Sequence, residues 1–212
     1  MGKKTGLTLL FATVASFFIL NLPSAASADS NNYFAAKFGI YSPRADALKD
    51  FDTGFNGELV FGYRLNNFAL EIEAGYFETK GQGTIVVSEA PLVVIPGDVK
   101  VSVVPVALTY KYVYPMKTFE PFLEVGAGFY VTDVELSGGG LSFSDRYTSP
   151  GVHAGLGANL NISQKLFLGI EGRYLWVEEH PLVLGQIPVN VKIDGIIATV
   201  NVGYRFDLPS GP

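Results

Sequence analysis

Ile196-Ile197-Ala198-Thr199-Val200-Asn201-Val202-Gly203-Tyr204-Arg205-Phe206 puts Ile, Ala, Val, Val, Tyr and Phe on its even positions, while its odd positions include Thr, Asn, Gly and Arg. Successive side chains of a strand point to opposite faces, so this stretch is a ribbon with one apolar and one polar side. A strand of an ordinary soluble sheet turns its apolar side inward and its charges to water. Here the apolar side ends in aromatic rings and the polar side carries Gly and a charge, which suits a strand with lipid outside and a polar interior.

Seven further segments read the same way, at about 33–41, 54–64, 68–77, 101–112, 120–131, 150–160 and 166–176, with the last strand at 193–206. One face of each segment carries no charge: Phe34 to Ile40 on even positions, Phe55 to Tyr63 on odd ones, and so on through Trp176 and Phe206. A charge near the midplane of a bilayer would cost about 2–4 kcal/mol, so this absence has a physical cause. Aromatic residues gather at both ends of that face, with Tyr63, Phe68, Tyr112, Tyr204 and Phe206 at one rim and Phe55, Tyr76, Phe129, Tyr174 and Trp176 at the other. Amphipathic rings favour the headgroup level, so two girdles are expected. The connections at 65–67, 113–119 and 161–165 are short, and those at 42–53, 78–100, 132–149 and 177–192 are long. That alternation predicts an all-β fold: an eight-stranded antiparallel up-and-down transmembrane β-barrel with its short turns toward the periplasm.

The opposite faces hold Lys37, Arg64, Lys111, Arg173 and Arg205 against Glu58, Glu71, Glu73, Glu124 and Glu171. Eight strands enclose a space that side chains can just fill. Charges there must pair, because an isolated buried ion is costly. The spacing predicts a mid-barrel layer of Lys37, Glu58, Glu73, Glu124, Glu171 and Arg173, with Lys111, Arg64 and Arg205 a layer below. Inward glycines such as Gly75, Gly126, Gly155 and Gly157 leave room for these long side chains. Glu120 is read as a residue of the periplasmic edge.

Residues 1–28 read as a cleaved secretory signal, with Lys3 and Lys4, an apolar run from Leu7 to Leu20, and Ala26-Ser27-Ala28 before Asp29. A retained anchor is the other reading, but the run is short for a spanning helix. Residues 29–212 then form one barrel domain, and loss of Lys3 and Lys4 takes the net charge from −5 to −7. Such a balance argues against nucleic acid as a partner. The chain has no cysteine, which excludes disulfides and thiolate metal sites. A weak internal repeat, Ala69-Leu-Glu-Ile-Glu-Ala-Gly-Tyr-Phe77 against Phe167-Leu-Gly-Ile-Glu-Gly-Arg-Tyr-Leu175, supports the hairpin reading.

Tyr33-Phe-Ala-Ala-Lys-Phe-Gly39, Val104-Pro-Val-Ala-Leu-Thr-Tyr-Lys-Tyr112, Pro121-Phe-Leu-Glu-Val-Gly-Ala-Gly128 and Val202-Gly-Tyr-Arg-Phe206 resemble the small eight-stranded outer-membrane barrels, the OmpA-, OmpX- and OmpW-like group. The resemblance covers 29–206. It implies residence in the cell outer membrane among lipid and lipopolysaccharide, and folding by the barrel-assembly machinery, which reads a terminal aromatic residue. In this chain Asp207-Leu-Pro-Ser-Gly-Pro212 follows that residue. Functions in the group range from structural anchoring and adhesion to passage of small apolar molecules, so fold alone does not fix the role.

Catalytic chemistry has few candidates. His153 is inward, but the residue two positions on is Gly155, not the Ser that a lipid-A-deacylase-like His-x-Ser arrangement would supply. It reads as an interior histidine joined to the glutamate network rather than as a base beside a nucleophile. Glu178-Glu179-His180 is a weak ligand pattern on a loop, and Gly138-Gly-Gly140 lacks the strand-to-helix context of a phosphate cradle. No catalytic, cofactor or metal residue is therefore assigned. The loops hold apolar segments that include Val86, Leu92, Val94, Ile95, Leu182, Leu184 and Ile187. They read either as hairpins that extend the strands above the bilayer or as an apolar vestibule for a small hydrophobic compound. The leading expectation is a non-enzymatic, structural, loop-displaying barrel with a salt-bridged lumen. Uptake of small hydrophobic compounds is the alternative, and a soluble periplasmic lipocalin-like binder is the third reading.

Overall fold

A computed structural model describes residues 30–206 apart from 46, 47, 49, 90, 91, 117, 140, 185 and 186. At 30, 31, 83–89, 92–96, 141, 181–184 and 187–191 it describes backbone alone. Eight antiparallel strands close into one barrel. In chain order they are β1 (Ser30–Pro43), β2 (Gly54–Leu65), β3 (Phe68–Glu89), β4 (Leu92–Val113), β5 (Phe119–Gly138), β6 (Leu141–Asn161), β7 (Leu166–Val177) and, after a separate hairpin of β8 (His180–Leu184) and β9 (Ile187–Val191), β10 (Gly195–Phe206). β1 pairs with β10 from Asn32↔Phe206 to Pro43↔Gly195, so no edge faces lipid around the ring. Closure is what a bilayer demands, since it offers no partner to a free N–H or C=O.

The register is the one the alternation predicts. Phe34, Phe38, Leu59, Leu123, Leu156, Ile170 and Val200 are all exposed on the outer wall, and Lys37, Glu58, Glu124, Glu171 and Arg173 are buried within. An apolar wall around a charged interior is the inverse of a lipocalin, so the soluble reading falls. The two-residue turn Asn66-Asn67 closes β2 to β3, with Asn66 at φ 54, a left-handed conformation that asparagine tolerates. Val200, 60% exposed and facing Ile170 near the middle of β10, gives the wall a direct test. Val200→Lys should cost about 2–4 kcal/mol of unfolding free energy in lipid vesicles, and Val200→Leu almost nothing. Equal urea midpoints for the two would place Val200 away from lipid.

Three elements differ from the expectation. β3 to β6 run well past the outer girdle, pairing as far as Glu89↔Leu92, which is the hairpin reading of the apolar segments in 78–100, and as far as Gly138↔Leu141, where a long loop was expected at 132–149. The expected loop at 177–192 contains the β8–β9 hairpin, whose His180 stacks on Tyr147 of β6 with ring centroids 4.6 Å apart. The interior is also less polar than expected, because an apolar cluster lies on each side of its charged middle. The lower cluster is Tyr33, Ala35, Val60, Ala69 and Phe167, and the upper one includes Tyr41, Phe77, Val101, Val103, Tyr130, Leu175, Val177 and Ile197.

Candidate functional site: a sealed ionic layer

Between those two apolar layers, three cations and five carboxylates fill the barrel. Lys37 Nζ donates to Glu73 Oε1 at 2.9 Å and to Glu171 Oε2 at 2.8 Å. Arg173 donates through Nη1 to Glu73 Oε2 at 2.6 Å and through Nη2 to Glu58. Lys111 donates to Glu171 Oε2 at 3.0 Å. The same ammonium lies 3.0 Å from Glu71 Oε2 and 3.1 Å from Glu124 Oε2, as ion pairs without hydrogen-bond alignment. Glu171 thus touches all three cations, with Arg173 at 3.7 Å as the most distant. Tyr33 donates its hydroxyl to Glu71 and so ties the lower aromatic layer to the ionic one.

The strands place these groups by parity and by what stands beside them. Lys111 lies directly across from Glu124 on the neighbouring strand. Glu171 and Arg173 lie across from Gly157 and Gly155 on β6. A side chain at Gly155 would run into Arg173 and Glu124, and one at Gly75 into Glu58. The glycines are there for volume. An eight-stranded barrel has no spare width, and Glu58, Glu171 and Arg173 each have a bare backbone opposite them on a neighbouring strand.

Four expectations change. Lys111 joins the mid layer rather than lying below it, since its four-carbon stem carries the ammonium up to Glu171, and Glu71 joins with it. Arg64 and Arg205 remain below, but their partner is Glu120, which lies at the periplasmic end of β5 as expected yet is inward and buried rather than part of the rim. Arg64 Nη1 reaches Glu120 Oε1 at 2.8 Å and Arg205 Nη2 reaches Oε2 at 3.0 Å. The inward faces of the strands therefore hold six glutamates against five cations. His153 does not join the glutamates, because its Nε2 lies 3.0 Å from Thr109 Oγ1 while Nδ1 has no hydrogen-bond partner.

A histidine beside a hydroxyl is half of a nucleophilic pair, but this one lacks the third group that orients an imidazole. Both side chains are buried beneath the upper aromatic layer. Among the described residues no group of three or more His, Asp or Glu side chains converges as a metal site. Val86, Leu92, Val94, Ile95, Leu182, Leu184 and Ile187 have backbone in β3, β4, β8 and β9, while their side chains lie outside the described residues.

A closed barrel with an apolar wall, two girdles and an ionic core defines a class, the small barrels of the outer membrane. The chain matches the outer membrane protein beta-barrel domain family over residues 10–206 and belongs to it. Among solved structures, the outer membrane protein OprG of Pseudomonas aeruginosa superposes with a TM-score of 0.61 at 16% identity, covering 85% of this chain and 98% of that one. A major outer membrane protein of Thermus thermophilus gives 0.55 at 10% identity, covering 84% and 100%. Neisserial surface protein A gives 0.50 at 16% identity, covering 84% and 97%. These likenesses establish the fold. No protein of curated function matches in sequence. The protein is one of the outer membrane, in contact with its bilayer.

Proposed function

We propose that this is a non-enzymatic, non-conducting barrel whose work is done by its outward-facing strands and loops, and that residues 1–28 are removed on export to leave 29–212. The observation that carries the reading is the filling of the lumen from rim to rim. Phe167, Tyr33 and the Arg64–Glu120–Arg205 group occupy the lower end, the Glu171-centred layer the middle, and Tyr41, Phe77 and Leu175 the upper end. A water path would have to cross two apolar layers and one in which every cation is already held by carboxylates. The pairing of β3 to β6 beyond the girdle supports a display role, since it carries an ordered sheet away from the membrane.

Single-channel recording in planar bilayers tests the seal. The native protein should add no steady conductance step above the bare membrane. A stable open level in most insertions would refute the plugged lumen.

A further inference from the structure

The outer wall is broken at one place that the sealed lumen does not explain. β6 and β7 stay paired only up to Gly151↔Val177, after which β6 continues upward paired with β5 alone. A cavity of about 770 Å³ lies on the outer side of that junction, with Ala127, Phe129, Val152 and Trp176 as its apolar part and Glu178, Glu179 and Lys192 at its head. It is a shallow groove open on its outer side rather than an enclosed pocket. A hydrogen bond from the Glu178 amide to the Pro150 carbonyl, 3.0 Å, fixes the backbone at Glu178 beside the groove.

Position and charge together limit what fits. The aromatic part belongs to the outward girdle, so an occupant enters from the outer leaflet with an alkyl or ring body against Trp176 and Phe129. The head of the groove is negative. Lys192 is tied to Asp194 at 2.8 Å, and that hydrogen bond holds the Lys192 ammonium above its ordinary pKa. Glu178 and Glu179 have no ion-pair partner among the described residues. With Lys192 offset by Asp194, Glu178 and Glu179 leave the head of the slot net negative, although Glu179 also acts on Lys192, and a negative head repels a phosphate or sulfate and attracts an ammonium. We infer that this groove binds cationic amphiphiles, molecules with one ammonium head and an apolar body, from the outer leaflet.

Trp176 is the chain's only tryptophan, so its fluorescence reads the site alone. The protein in phosphatidylcholine vesicles is titrated with three single-chain amphiphiles of equal length, each brominated on the chain to quench tryptophan. Their heads are trimethylammonium, maltoside and sulfate. The ammonium probe should reach half-quenching at about one tenth of the concentration of the other two. In a Glu178→Gln, Glu179→Gln protein that advantage should vanish while quenching by the maltoside probe stays as it was. Comparing the two proteins in identical vesicles cancels partition of the probes into lipid. Heat-modifiability on a gel checks that the variant is a folded barrel. Equal potency of all three probes, a preference for sulfate, or an ammonium advantage that survives the double substitution would each overturn the assignment.

Discussion

Arg173→Met should lower the stability of the barrel in lipid vesicles by about 3–5 kcal/mol, the usual cost of stranding a buried partner charge. Arg173 is the ion-pair partner of Glu58 and shares Glu73 with Lys37. Without it the Glu58 carboxylate is left in a layer whose side chains are all but unexposed, and five carboxylates face two cations. Urea unfolding followed by Trp176 emission measures the loss. Adding Glu58→Gln to Arg173→Met should recover part of it, because the stranded charge is then gone, and the coupling between the two sites should exceed about 1 kcal/mol. Glu178→Gln, at the exposed head of the outer groove, should leave the midpoint unchanged. A loss below about 1 kcal/mol for Arg173→Met would mean that water reaches this layer, and the sealed-lumen reading would fall with it.

What could be read in advance was set by what a lipid bilayer forbids. Parity along each strand had to hold because one slipped residue would turn Glu171 or Arg173 into lipid, so the wall and the inward charges were legible from alternation alone. Heights and partners were not. Lys111 ends one layer above its expected place because a lysine stem is about as long as the spacing between layers, and backbone position does not say which way it leans. Glu120 was assigned to the edge although it lies four positions before Glu124 on the same strand, a spacing that puts both inside. That parity was the signal to follow. The upper apolar layer was legible by the same rule, since Tyr41, Phe77, Val101, Val103, Leu175, Val177 and Ile197 all have inward parity. An expectation of a polar interior hid it. Beyond the girdle no lipid enforces the pattern, and there the extended pairing of β3 to β6 and the β8–β9 hairpin could not be separated from long loops.

That upper layer leads to the second large effect. Phe77→Ala should cost about 3–5 kcal/mol, as for other buried aromatic truncations. The Phe77 side chain is almost fully enclosed, and its ring centroid lies 4.5 Å from that of Tyr41, whose hydroxyl donates to the Ile193 carbonyl at 2.8 Å. Removing the ring therefore opens a cavity and frees the residue that anchors the segment entering β10. Tyr41→Phe keeps the packing and deletes only the hydroxyl, so it should cost about 1 kcal/mol. Phe129→Ala, a truncation on the lipid side where the ring is 63% exposed, should cost well under the Phe77 value. The same variants separate the two seals. Phe77→Ala should still show no steady conductance, because the Glu171-centred layer beneath it is untouched. If Phe77→Ala alone conducts, neither the ionic layer nor the Tyr33–Phe167 layer beneath it is a seal, and the upper aromatic layer is the barrier. If Phe77→Ala is no more costly than Phe129→Ala, the upper layer is not packed against Tyr41, and the lumen is open down to the glutamates.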